Sequence, residues 1–169
     1  MPKVFIGLGS NIKREMNIRS ALSALKKKFG VLTCSSIYES ASVGFEGDPF
    51  YNMVVTFEAQ RSLSEVLNIL RSIETEHGRT RRSCKFSSRT LDLDLMLYGD
   101  LIFDEEGIVL PRADILEYAF VLEPLAEIAS KLVHPIRKKS YAELWALFDK
   151  TNVKQQQLKV NLLECPVVK

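Results

Sequence analysis

Two carboxylates two residues apart, Asp92 and Asp94, follow five cations, Arg79, Arg81, Arg82, Lys85 and Arg89, in the stretch RTRRSCKFSSRTLDLDLMLY from Arg79 to Tyr98. Leu91, Leu93, Leu95 and Leu97 fall on one face of an extended chain there, and Asp92, Asp94, Met96 and Tyr98 on the other, the pattern of a half-buried strand. At ~3.3 Å rise per residue, carboxylates two apart on one strand face stand about 6–7 Å apart and can share hard cations such as Mg²⁺. The five cations fall within eleven residues that contain no acid. An alternating strand with acids on its polar side is most often a solvated sheet face. Here, neutralising two aspartates takes only two of five cations, and the others need an anion. Metal-binding oxygens beside a cationic loop suit a polyphosphate, so a charged-ligand site is favoured over plain surface.

The rest of the chain bounds that reading. With 169 residues, one domain is expected over 1–169, large enough to bury about two-thirds of its unfolded surface. A formal charge of +2 from 23 basic and 21 acidic residues gives no case for a general nucleic-acid or membrane surface, so any basic function is local. Cys34, Cys84 and Cys165 form neither a CxxC pair nor an even set and read as reduced thiols of a cytoplasmic protein, with zinc disfavoured. No signal peptide or membrane span is visible, and a soluble monomer is expected.

The elements that must position the carboxylates can be read in order. Val4 to Leu8 is a short apolar run closed by Gly9-Ser10-Asn11, a buried strand followed by a tight strand-to-helix turn; Gly7-Leu8-Gly9 lacks the remaining residues of a dinucleotide loop or a P-loop. Ile18, Leu22, Leu25 and Phe29 then repeat at helical spacing up to Gly30, and Ser10 or Asn11 either caps that helix or turns towards a ligand; the cap is favoured. Residues 31–40 and Phe50 to Phe57 read as two strands joined by a long polar loop, and long loops inside compact domains are often functional. Ser62-Leu63-Ser64-Glu65 is a capping box opening a helix that stops at Gly78, directly before the arginines. His77, near that helix end, reads as a cap. After Asp94, short segments turn at Gly99-Asp100 and Asp104 to Gly107; Phe120 to Ala129 reads as a helix, and Ser140-Tyr141-Ala142-Glu143 opens another. The tail from about residue 151 carries one apolar run, Val160 to Leu163, which adds an edge strand or stays mobile.

Strand, helix, strand, strand, helix, strand is the split-βαβ, ferredoxin-like plan: an α+β fold with an antiparallel sheet, helices packed on one face and extra C-terminal helices. RNA-binding modules share this plan, but they carry an aromatic RNP-type strand, absent here. The strand with the clearest polar face carries Asp92 and Asp94 instead, which would repel a phosphate backbone unless metal intervenes.

RTLDLDLMLYGD, the arginines before it, the Leu110-Pro111 and Pro124-Leu125 segments after it, GLGSN near the start and SSIYESASVGFEGDPFYN in the middle together resemble the 6-hydroxymethyl-7,8-dihydropterin pyrophosphokinase family over most of the chain. The resemblance implies transfer of the terminal diphosphate of ATP to the hydroxymethyl group of the reduced pterin in folate biosynthesis, with AMP released. It implies small-molecule substrates, ATP as co-substrate and two Mg²⁺ ions on Asp92 and Asp94. Arg79 and Arg89 would neutralise charge on the transferred group; Glu74, Arg81, Arg82, Lys85 and Arg112 would serve ATP. Pterin contacts would come from Ser40, Ala41, Val43, Phe50 and Asn52, with Phe50 and Phe120 sandwiching the ring and Phe86 where the family commonly has tryptophan. A flat heterocycle suits an aromatic face, and Asn52 can both donate and accept. From sequence alone, Phe50 reads as core, Asn52 as a turn residue and Glu74 as an exposed helix residue.

The chain departs from the family pattern after Leu110-Pro111. Arg112 and Ala113 stand where a histidine and its neighbour contact nucleotide, and Tyr118 where a later arginine is expected. Either the ATP site is retuned, which is favoured, or the chain is a paralogue using a different pterin or donor, or none.

Overall fold

In this computed structural model, residues 1–42, 46–78 and 90–158 are described. Their elements run β1 Lys3–Ser10, α1 Arg14–Phe29, β2 Thr33–Cys34, β3 Ile37–Ser40, β4 Phe50–Glu58, α2 Leu63–Glu76, β5 Asp92–Tyr98, β6 Phe103–Glu105, β7 Ile108–Leu110, α3 Asp114–Glu117, α4 Ala119–Ile128, α5 Tyr141–Leu147 and β8 Gln155–Leu158. The main sheet has the order β5-β1-β4-β3-β8, with β2 also on β4, and every pairing is antiparallel. β6 and β7 form a separate hairpin.

Each face of the sheet has its own core. Val4, Ile6, Leu8, Val55, Leu93 and Leu95 pack with Ile18, Leu22 and Leu25 of α1 and Val66, Leu70 and Ile73 of α2. Phe5, Val54, Met96 and Leu97 pack with Ile115, Leu122, Leu125 and Tyr141, so the extra C-terminal helices cover the opposite face. Leu97 belongs to that second core because the alternation predicted for β5 breaks. Phe5 pairs with Leu97 and Ile6 with Leu95, leaving Met96 as an extra residue. This β-bulge turns Met96 and Leu97 to the same face, while Tyr98 returns to the first core.

Three other expectations are corrected. β1 continues through Gly7 and Gly9 to Ser10, so these glycines are strand residues and not a turn. Helix α1 has Lys13 as its N-cap, without a side-chain cap; the Ser10 hydroxyl donates to the Thr90 carbonyl at 2.6 Å and Asn11 Nδ2 to the Asp48 carbonyl at 3.1 Å. Cys34, buried in β2, is disulfide-bonded, so it is not a reduced thiol. Cys84, Cys165 and the run Val160 to Leu163 lie outside the described residues.

The capping boxes at Ser62 and Ser140 form as predicted, and His77 ends α2 with its backbone and its Nδ1 both on the Ile73 carbonyl. Among the described residues, no helix is long and apolar enough to cross a membrane.

Candidate active site

The two glycines of β1 create the site. Gly9 pairs with Asn52 of β4 on one side and with Asp92 of β5 on the other; Gly7 likewise lies between Val54 and Asp94. Residues directly opposite on neighbouring strands point to one face, so Asn52, Gly9 and Asp92 form a row across three strands. A Cβ on Gly9 would stand 3.4 Å from Asn52 Oδ1, 3.8 Å from Phe50 Cδ1 and 4.0 Å from Asp92 Cβ. The bare backbone at Gly9 is thus a shallow floor with an aromatic and an amide on one wall and carboxylates on the other. At about 4.8 Å per strand the walls stand roughly 10 Å apart, the span of a fused two-ring heterocycle with a short substituent.

The amide wall is fixed from behind. Asn52 is buried within β4 and is not a turn residue; its Nδ2 donates to Ser40 Oγ at 2.7 Å and to the Tyr38 carbonyl at 3.4 Å. Phe50, at the head of β4, is half-buried and not core. Ser40 is buried at the end of β3, and Ala41 follows it exposed. The loop between β3 and β4 is tied to the start of α1: Arg14 donates to the Pro49 carbonyl at 2.9 Å, pairs with Glu39 at 2.9 Å and lies 3.9 Å from the Tyr51 ring centre. Phe120 of α4 is half-buried against the cluster containing Val54 and Met96, with Tyr118 stacked on it at 5.0 Å.

The carboxylate wall is strongly coupled. Burial, then the nearby Asp92 charge, push the Asp94 carboxyl up to about 8, because two carboxylates out of bulk water resist ionising together. Arg112 opposes this from one side, with Nη2 3.5 Å from Asp94 and Nε 3.0 Å from Asp114. Its backbone N–H donates to the Met96 carbonyl at 3.0 Å, so the bulge in β5 sets its position. Glu74 is half-buried rather than exposed and accepts from the Leu93 N–H at 3.1 Å, which brings a third acid to this wall.

Of the residues expected from sequence, Ser40, Phe50, Asn52, Glu74, Asp92, Asp94 and Arg112 converge here, and Phe120 packs on the same sheet face. Val43, Arg79, Arg81, Arg82, Lys85, Phe86 and Arg89 lie outside the described residues. The flanks of the 79–89 segment are close: a Cβ on Gly78 would stand 4.0 Å from Thr90 Oγ1. Sequence reasoning missed Gly7 and Gly9 as floor residues. Two glycines at strand spacing were the available signal, since glycine inside a strand often marks close approach by another group.

Residues 5–130 match the family described as 7,8-dihydro-6-hydroxymethylpterin-pyrophosphokinase (HPPK). The 2-amino-4-hydroxy-6-hydroxymethyldihydropteridine pyrophosphokinase of Haemophilus influenzae is 38% identical over 139 residues, covering 80% of this chain and 86% of that protein. Its namesake from Bacillus subtilis is 38% identical over 132 residues, covering 76% and 78%. Among solved structures, wild-type Plasmodium falciparum HPPK-DHPS aligns with a TM-score of 0.66 at 11% identity, over 86% of this chain and 44% of that one. This chain therefore spans less than half the length of that structural relative, and the likeness at such identity concerns the fold. The sequence match is of a different order, covering the glycine floor, both walls and the helix that bears Phe120: the chain belongs to the 7,8-dihydro-6-hydroxymethylpterin-pyrophosphokinase family.

Proposed function

We propose that this protein transfers the terminal diphosphate of ATP to the hydroxymethyl oxygen of 6-hydroxymethyl-7,8-dihydropterin. The alcohol oxygen forms a bond to the β-phosphorus, the bond from that phosphorus to the α-phosphate oxygen breaks, AMP leaves and the alcohol proton is released. The observation that carries this reading is the row Asn52, Gly9, Asp92, which sets a flat-ring pocket beside a carboxylate pair.

In this reading Phe50 and Phe120 hold the two faces of the pterin, Ser40, Ala41 and Val43 line its edge with Asn52, and Phe86 covers it. The ring is thereby oriented with its hydroxymethyl group towards Asp92 and Asp94. Proximity of that kind is itself a large part of catalysis in phosphoryl transfer.

The donor set on the other wall suits Mg²⁺: all-oxygen, anionic, and on an Asp94 side chain 27% exposed. We assign two Mg²⁺ ions to Asp92 and Asp94; when bound, Mg²⁺ screens phosphate charge and polarises the phosphoryl oxygens. Asp94 must shed its proton for this role, and Arg112 favours that loss. In the same reading Arg112, Arg81, Arg82, Lys85 and Glu74 are assigned to the nucleotide, and Arg79 and Arg89 to neutralising charge on the transferred group. The protein acts as a single-domain monomer on small molecules.

A second reading, a paralogue with another donor or pterin, is favoured by one observation: Arg112 and Tyr118, both departures from the family pattern, are engaged with Asp94 and Phe120. Product analysis separates the two. Incubation with ATP, Mg²⁺ and the reduced pterin should release AMP and no ADP, and absence of AMP from folded protein at saturating ligand would leave the paralogue reading.

A further inference from the structure

Glu127 lies on α4 seven residues after Phe120, and Glu123 lies between them, so all three lie along one side of the helix, where Glu123 and Glu127 meet β3 and β8. Among the described residues, the Glu127 carboxylate meets neutral donors there and no cation. It accepts from the Ser36 N–H at 3.0 and 2.9 Å, from the Ser36 hydroxyl at 2.5 Å and from the Tyr38 hydroxyl at 3.2 Å, with Gln157 Nε2 at 3.4 Å. Placing a carboxylate among neutral donors at a helix–sheet contact is costly compared with an apolar side chain of similar size. What it provides in return is geometry: three donors from one strand segment fix the helix in a single register.

That strand segment leads directly to the amide wall. Ser36 occupies the break between β2 and β3, and Tyr38 pairs with Asn52. Two residues on, Ser40 Oγ accepts from Asn52. On the helix side, the other end of the same face carries Phe120, about 10 Å along the axis at 1.5 Å per residue. β8 reinforces both ends, since Gln157 donates to Ser36 Oγ at 2.8 Å while Gln155, paired with Ser40, donates to the Ala119 carbonyl at 3.1 Å and to Glu123.

We propose that Glu127 is a positioning residue of the pterin pocket: it locks α4, with Phe120, to the strand that carries Ser40, and so sets the distance of Phe120 from the amide wall. The inference rests on the pterin reading given above. It adds that affinity for the heterocycle, and not for the nucleotide, depends on a carboxylate remote from both ligands.

The test is calorimetric titration of wild type, Glu127→Ala, Glu127→Gln and the double variant Ser36→Ala/Tyr38→Phe. Each is titrated with 6-hydroxymethylpterin in the presence of a non-hydrolysable ATP analogue and Mg²⁺, and separately with the analogue alone. Losing charge-assisted bonds predicts roughly a tenfold weaker pterin affinity for Glu127→Ala, with nucleotide affinity changed less than about twofold. Glu127→Gln keeps one accepting oxygen and should fall between; the double variant loses both hydroxyl donors but keeps the Ser36 N–H, so its pterin affinity should also fall between wild type and Glu127→Ala, and it carries the test where the alanine variant fails to fold. Unchanged pterin affinity, or equal losses for both ligands, would overturn the proposal. A wild-type protein that binds nucleotide but no pterin would overturn the functional reading, and this inference with it.

Discussion

Arg112 holds Asp94 from one side and Asp114 from the other, with Nη2 3.5 Å from the first carboxylate and Nε 3.0 Å from the second. The arginine is thus the built-in counter-charge of a carboxylate that burial and Asp92 push towards the protonated form. Replacing it by histidine would not be equivalent, since an arginine stays charged throughout the physiological range. Arg112→Ala should weaken ATP binding by roughly tenfold, the worth of one charge-assisted contact, while pterin affinity changes little. Separate titrations with the two ligands check this, and a larger effect on pterin would remove Arg112 from the nucleotide site.

Asp92→Ala and Asp94→Ala should each abolish turnover with the fold intact, because each removes half of the oxygen donor set. Steady-state kinetics with circular dichroism as control is the measurement. Near-normal turnover in either variant would sink the metal assignment.

The upward-shifted Asp94 pKa also predicts a stability profile. Its ordinary value is 3.8 and its folded value about 8, so between these the folded state binds more protons than the unfolded one. By linkage, its contribution makes stability fall as pH rises from about 4 to about 8, and level off above. Asp94→Asn, a neutral isostere, should flatten that slope and melt higher than wild type at pH 8 in the absence of Mg²⁺, while losing activity. Thermal melts of both proteins across that range decide it; parallel profiles would refute the shift.

Phe50→Ala should weaken pterin binding by about 1–3 kcal/mol, by analogy with base stacking on aromatics, and leave nucleotide binding unchanged. Equal losses for both ligands would return Phe50 to the core.

The two glycines of β1 should respond differently to alanine. At Gly9 the new methyl meets only ordinary contacts, at 3.4 Å or beyond, so the fold should hold while pterin binding drops as the floor rises. At Gly7 it would stand 2.4 Å from Met96 Cε, and the flexible methionine must move aside, costing about 1 kcal/mol as mild overpacking. Melting temperature and pterin affinity, measured on both variants, should therefore rank them in opposite order.

Much of this was legible in the sequence where signals are local. The capping boxes at Ser62 and Ser140 and the stop at Gly30 depend on residues a few positions apart, and they form as read. The bulge at Met96 was not legible, because Leu97 is apolar and suits either buried face of a sheet covered on both sides. Ser10 and Asn11 were misread as a cap because their partners, Thr90 and Asp48, lie 80 and 37 residues away. β8 was missed because Gln155, Gln156 and Gln157 carry no strand signal; the pairing with β3 supplies it. Glu74 looked like a solvated helix residue, and only the approach of Leu93 makes it part of the site.

Among the described residues, β5 stands at the end of the sheet order, with β1 on one side only. Such a strand is a template for pairing with another chain unless its outer groups are occupied. Here two of those backbone groups are taken by site residues: the Leu93 N–H goes to the Glu74 carboxylate and the Met96 carbonyl to the Arg112 N–H. The acid proposed for the nucleotide therefore also occupies a donor on this strand edge. A Glu74→Ala variant would free a strand donor as well as altering ligand binding, so its loss of activity should be read beside its sedimentation profile.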